Sequence, residues 1–300
     1  MWGLLAEFSE TSLGGIKLTG SPFPRNFKAY AEVVVPVPAS GKLTDVLMLL
    51  SINSLPLYLK DLINTDGRDI RIYDENGQQL PRDIVRCVNG GLGVGADVVG
   101  FLMFRYTSSI HSNSKIRVYA GDSTLTEPAN TAPFGQFATY DTNVRAFWPD
   151  GLGNDRTSYV NHLTSVGSPS VGGATGPVNG TLSTDLDGTT QYGETTVSVP
   201  TAYPFNLYGS ASPDVTNAGL TILTLQDTGD SLNRNYAYLH LAGNVSGDPV
   251  RLRMARQGFG NTITDVSTFV ATTWTHPVGR AIGNASRYVY DDGTESAQNT

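Results

Sequence analysis

From Val144 to Gly293 the chain repeats one device: a strand-length run of apolar or β-branched residues, then a cluster of Gly, Asn, Asp or Ser. The runs are VRAFWP, TTVSVP, LTILTLQ, YAYLHLA, VRLRMA, DVSTFVAT and SRYVYDDG. None sustains a helical period, and their spacing is that of a sheet-on-sheet sandwich. The 33 glycines and 16 prolines supply the many turns such a fold needs. The second half therefore reads as all-β.

The first half is built similarly. YAEVVVPVP and TDVLMLLSI read as strands, with Pro36 and Pro38 placing the end of the first at a sheet edge. LPLYLKDLI, residues 55–63, sets Leu55, Leu59, Leu62 and Ile63 at helical spacing and predicts one short helix. DIRIYDENGQQLPRDIV reads as a hairpin about its ENG turn. DVVGFLMFRY, apolar on both faces, is expected at the centre of a sheet, and SKIRVYAGD is a further strand. Residues 123–143 look like a linker, which puts a domain boundary near 140. The expected organisation is an extended arm over 1–27, a small β domain over 28–140 and a second β domain over 141–300.

A net charge of −7 without a clustered basic stripe argues against a nucleic-acid surface. No run approaches the about 20 apolar residues of a membrane-spanning helix. The opening MWGLLAEFSETSLGG lacks the basic start of a secretory signal. Cys87, the single cysteine, allows no internal disulfide and reads as a small buried side chain. The sequons at Asn179, Asn244 and Asn284 matter only on a eukaryotic secretory route.

Two resemblances rest on particular motifs. DGRDIRIYDENGQQLPRDI followed by SKIRVYAGD resembles the DUF2341 family over roughly residues 28–140, with Val118-Tyr119-Ala120-Gly121-Asp122 in place of that family's Y-Y-G-N ending. AFWPDG with Trp148, DLDGTTQYGE, TTWTHPVG with Trp274 and His276, and RYVYDDG resemble, in that order, the concanavalin A-like, laminin-G-like superfamily. The resemblance implies a two-sheet jelly roll that often binds carbohydrate. It places Leu186 at the family's inward-facing phenylalanine and Gln191-Tyr192 at its D-Y. Such jelly rolls carry one or two strands beyond the Y-V-D-G turn, so the expectation is either that the sequence is a piece of a longer protein or that a neighbouring chain or the arm completes the sheet. The pairing is familiar in bacterial surface proteins and in tailed-phage virions.

The chemistry narrows further. Asp185 and Asp187 alternate but lack the flanking glutamates of the retaining glycosidases of this fold, which argues against catalysis. Asp187, Asp150, Asp155 and Asp292 are candidate calcium ligands, because calcium takes hard oxygens from loops. A carboxylate capping its own Asp-Gly turn is the competing reading. His111, His162, His240 and His276 show no paired zinc spacing, and NGGLGVGAD at 89–97 lacks the ending of a phosphate loop. No G-x-S-x-G elbow is present. Tyr203, Tyr208, Asn235 and Tyr236 combine aromatic faces with polar neighbours, as a glycan site needs, and equally suit a core or subunit interface.

The expectation is a non-enzymatic phage virion protein, a decoration or tail-associated subunit. Its partners would be other virion proteins, copies of itself and host-surface polysaccharide. A bacterial surface carbohydrate-binding protein is the alternative, and a glycan-degrading enzyme on the same fold ranks behind both.

Overall fold

A computed structural model describes residues 26–35, 43–88, 98–107, 114–140, 142–177, 181–195, 204–215, 218–226, 236–243, 246–256, 260–283, 286–291 and 294–295. The expected arm, but for its last two residues, and the 89–97 loop lie outside these. So do the three sequon asparagines. The chain is all-β, with antiparallel sheets throughout. It divides into two compact units at 197/198.

The first unit faces two three-stranded sheets against each other. Ala29–Val35 (β1), Ser114–Ala120 (β6) and Arg71–Tyr73 (β3) form one, in the order β1-β6-β3. Val46–Ser51 (β2), Val99–Tyr106 (β5) and Arg82–Val88 (β4) form the other, in the order β2-β5-β4. Period-two alternation decides what meets between them. Val33 and Val35, Met48 and Leu50, Leu102 and Phe104, and Ile116 and Val118 all turn inward to one core. Each such side chain contributes about 1.5–3 kcal/mol. As expected, β1 stops at Val35 on a sheet edge and β5 is central. Phe101 and Met103 on its other face enter a second cluster with Leu47 and Tyr140.

The expected short helix is present, and the expected hairpin is corrected. The helix is a single turn, Leu57–Lys60 (α1), preceded by a 3-10 turn at Ile52–Ser54. Leu55, Leu59 and Ile63 are fully buried at helical spacing, but the amides of Leu62 and Ile63 reach back only three residues, to Leu59 and Lys60, so the α-helical ladder ends there. The hairpin ends almost as it begins. Asp74 caps the turn by accepting from the Asn76 and Gln78 amides at 3.0 and 2.7 Å, and Tyr73 bridges Gln79. Pro81 then has no amide to donate, and β4 crosses to the facing sheet, where it pairs with β5.

Residues 123–143 are no linker. Arg71 donates to the Thr126 carbonyl at 2.7 Å. The wholly buried Arg82 grips the Glu127 carboxylate and the carbonyls of Ile70 and Arg68. Gln136–Thr139 (α2) then leads to Tyr140, whose hydroxyl donates at 2.7 Å to Asp83, a buried carboxylate on the outer face of β4. Arg156 meets the same carboxylate, its Nε at 2.9 Å from the oxygen that the Tyr140 hydroxyl also reaches. Residues 141–197 therefore fall with the first unit, although the sequence suggested the second. They add two short ribbons: Thr164–Val166 (β7) with Tyr192–Glu194 (β10), and Ser170–Thr175 (β8) with Leu182–Asp185 (β9). VRAFWP, expected as a strand, is irregular backbone organised by Asp155.

The second unit is a sandwich of two four-stranded sheets. Phe205–Tyr208 (β11), Val278–Gly283 (β16), Ser286–Asp291 (β17) and Thr294–Glu295 (β18) form one. Gly219–Gln226 (β12), Tyr236–Ala242 (β13), Pro249–Arg256 (β14) and Gly260–Thr268 (β15) form the other as a meander. Leu207, Leu239, Leu241, Val250, Leu252, Ala281 and Val289 are its core. Gly279 lets the sheets close, since a Cβ there would stand 2.7 Å from Leu252.

Candidate functional site

The acidic turn is the first test of the sequence reading. Gly188 takes φ +70°, the left-handed conformation the turn requires. Asp187 then folds back over it. One carboxylate oxygen accepts the amides of Thr189 and Thr190 at 2.9 and 2.8 Å and that of Gln191 at 2.9 Å, and the other accepts the Thr190 hydroxyl. The Gln191 side chain returns the favour by accepting from the Asp187 amide at 2.9 Å. These donors, the Thr190 hydroxyl foremost and then the amides, hold the carboxyl well below its usual range. The geometry is that of a carboxylate capping its own turn.

Asp155 is likewise engaged. Buried, it accepts the amides of Phe147, Thr157 and Asn161 and the Thr157 hydroxyl, all at 2.8–2.9 Å. Its own amide donates to His162 Nδ1 at 3.0 Å. It thereby shapes the loop that seats Trp148, whose indole donates to the Asn161 carbonyl at 2.9 Å. Asp150 is half-buried. Burial pushes its carboxyl up, and Arg86 and Arg156 pull it back. Asp292 lies outside the described residues. Among the described residues no group of three or more His, Cys, Asp or Glu side chains is gathered to hold a metal ion. Leu186, expected to face inward, is 42% exposed, because the Asp187 cap turns the chain before that side chain reaches a core.

The tyrosines point elsewhere. Leu207, Ala281 and Val289 face the core of the second unit, so alternation turns their neighbours outward. Register then assembles two rows across β11, β16 and β17. One is Tyr208–Val278–Tyr290, and the other is Asn206–Arg280–Tyr288. Tyr288 and Tyr290 stack, with ring centroids 6.4 Å apart and planes 30° from parallel. Tyr208 is half exposed, and Arg280, Asn206 and Ile282 are exposed beside it.

One end of this face carries a hydrogen-bonded pair. Ser210 Oγ lies 2.9 Å from His276 Nδ1 and 3.5 Å from the Tyr208 hydroxyl. The pair is positioned by backbone hydrogen bonds between Ala211 and Thr275, at 3.1 and 2.9 Å. Beneath it the buried Thr275 hydroxyl donates to Asp291. Among the described residues no carboxylate hydrogen-bonds the His276 imidazole, so these residues do not assemble a serine-nucleophile triad. It offers a hydroxyl and an imidazole as hydrogen-bonding groups at the rim of an aromatic surface.

The opposite sheet presents a charged face. Arg251 grips Asp265 through two hydrogen bonds of 2.6 and 2.7 Å, and Arg253 donates to the Tyr238 hydroxyl at 2.7 Å. His240 sits edge-on to Tyr238, ring centroids 4.8 Å apart. Its imidazole is pushed down to about 4, by burial first and then by Arg251 and Arg253, against the pull of Asp265. Arg251 and Asp265 satisfy each other, whereas His240 Nε2 is buried with no hydrogen-bond partner among the described residues and the tyrosine face has open aromatic area.

Of the residues expected at a ligand site, Tyr208 lies on the tyrosine face. Tyr203 and Asn235 fall outside the described residues, as does the Tyr236 side chain. Sequence reasoning missed Tyr288, Tyr290, Asn206 and Arg280, although the alternation in RYVYD signalled the first two. Cys87 is half-buried and burial pushes its thiol up to about 11, which makes it a poor nucleophile. Comparison with protein-family models, with curated proteins and with solved structures gave no match.

Proposed function

We propose that the chain is a non-enzymatic structural subunit of a phage particle, a decoration or tail-associated protein, displaying a lectin-like β domain that contacts host-surface glycan. The observation that carries the binding part is the tyrosine face. Tyr208, Tyr288 and Tyr290 share one sheet surface with Arg280, Asn206 and the Ser210–His276 pair. A pyranose ring offers apolar C–H on one side and hydroxyls at its rim. Aromatic rings flanked by short polar groups match both. The virion setting rests on the motif resemblances, and so does the concanavalin A-like assignment over residues 141–300, although its motifs AFWPDG and DLDGTTQYGE fall in the first unit and TTWTHPVG and RYVYDDG in the second.

Two measurements test the reading. Antibody labelling of purified virions is expected to find the protein, and particles without it would end the virion assignment. Binding to host polysaccharide is expected to weaken about fivefold for Tyr208→Ala and again for Tyr290→Ala, at about 1 kcal/mol per lost aromatic contact. Unchanged binding in the double variant would remove the tyrosine face from consideration.

A further inference from the structure

Among the described residues the second unit has four sheet edges, and three are guarded. Strand β15 carries the exposed Asp265 at its middle. Strands β11 and β18 are short, with four and two residues. Charge and shortness are ordinary defences against edge-to-edge pairing. Strand β12 has neither. It runs for eight residues, GLTILTLQ, without a charge, and pairs only with β13 among the described residues.

Its inner side is also unfinished. Leu220, Ile222, Leu223 and Leu225 pack against the core yet stay half-buried, whereas their neighbours Leu239 and Leu241 on β13 are fully buried. A bulge between Thr221 and Leu223 turns both Ile222 and Leu223 toward the core. The facing pattern from 220 to 225 is therefore in, out, in, in, out, in. It reads the same in either direction, and so does the chemistry. Leu220 mirrors Leu225, Thr221 mirrors Thr224, and Ile222 mirrors Leu223.

We propose that β12 pairs antiparallel with β12 of a second copy of this chain, about a two-fold axis between Ile222 and Leu223. Directly opposed residues in an antiparallel pair share a face. Leu220 then meets Leu225 over the core, and Thr221 meets Thr224 on the outer face. A two-fold contact demands such a self-complementary patch, and a different partner would not. The bulge normally guards an edge by bending it. Here it sits at the axis, so the bends of the two copies coincide. The pairing joins two four-stranded sheets into one, completes the half-covered leucines, and asks no charged group of either copy, which matters for a chain of net charge −7.

The test compares the full chain with Thr221→Lys/Thr224→Lys by sedimentation at micromolar concentration. Both threonines are exposed, so the substitutions leave the fold intact, which circular dichroism verifies. In the pair they set lysine against lysine on both sides of the axis. The wild-type mass is expected at twice 32.1 kDa, falling to 32.1 kDa in the variant. A monomeric wild type, or a dimer that survives both lysines, would overturn the proposal. Register is tested by oxidising Thr221→Cys/Thr224→Cys, which should cross-link. Thr221→Cys alone should stay at the wild-type background, because equivalent positions lie roughly 10 Å apart along the strands, beyond disulfide reach. Equal cross-linking by the single variant would refute this register.

Discussion

Replacing Arg156 by Met should strip the Asp83 carboxylate of its charge partner and leave it buried. Asp83 is 2% exposed, and the Tyr140 hydroxyl would be its one remaining side-chain donor among the described contacts. Breaking a buried ion pair by removing one partner costs about 3–5 kcal/mol. The Arg156 side chain is 26% exposed, which lets water reach part of the gap and places the expectation at about 3 kcal/mol. For a unit of this size that corresponds to a melting temperature lower by roughly 6–12 °C. Asp83→Leu combined with Arg156→Met should recover part of the loss, since the apolar pair carries no stranded charge, although the buried Tyr140 hydroxyl loses its acceptor. The assay is urea unfolding followed by tryptophan fluorescence, with Trp148 reporting from the loop that Arg156 anchors. A loss below about 1 kcal/mol in the single variant, or no recovery in the double, would show that Arg156 and its loop are not held to the β2-β5-β4 sheet through Asp83.

The remaining predictions are smaller. The folded His240 imidazole titrates at about 4 and the unfolded one near 6.5. Between those values the unfolded chain binds a proton that the folded chain refuses, so stability falls as the pH drops from 6.5 to 4 and levels off below. The span would reach about 3 kcal/mol for an enclosed group, and screening at this half-buried site reduces it to about 1. His240→Gln should flatten that part of the profile, as denaturant midpoints at pH 7 and pH 4.5 would reveal. Gly100→Ala drives a Cβ to 2.1 Å from the Arg86 carbonyl, in the strand that centres the first unit. It should cost about 3 kcal/mol by calorimetry, and a neutral outcome would mean that β4 yields easily. Calcium followed by chelator should leave the melting curve unmoved, because the Asp187 carboxylate already accepts three amides and a hydroxyl. A calcium-dependent rise lost in Asp187→Ala would restore the metal reading.

Strands were legible wherever alternation was local. YAYLHLA is β13 to the residue, and the two-faced DVVGFLMFRY is the central β5. What the sequence hid was the choice among partners. DIRIYDENGQQLPRDIV contains a real turn, but whether β4 stays beside β3 or crosses to the facing sheet depends on pairing with β5 farther along the chain. Residues 123–143 look like a linker because Pro, Thr and Asn dominate. Their attachment comes from Arg71, Arg82 and Asp83, whose contacts with them span 45 to 57 residues of sequence. Tyr208 was recognisable from its polar company. Tyr288 and Tyr290 joined it only once β16 was seen to lie between β11 and β17.

The position of β6 has a consequence for how the chain comes to be folded at all. As the middle strand of its sheet, β6 pairs with β1 across a separation of about 85 residues, and β1 and β3 share no other strand. Neither can enter a finished sheet until Ser114–Ala120 has left the ribosome. Closing so long a loop is slow relative to zipping a meander. The β12–β15 meander needs only neighbouring segments, and it emerges later. The first unit is thus expected to be the slow step of refolding, and the order of synthesis gives it a head start that dilution from denaturant removes.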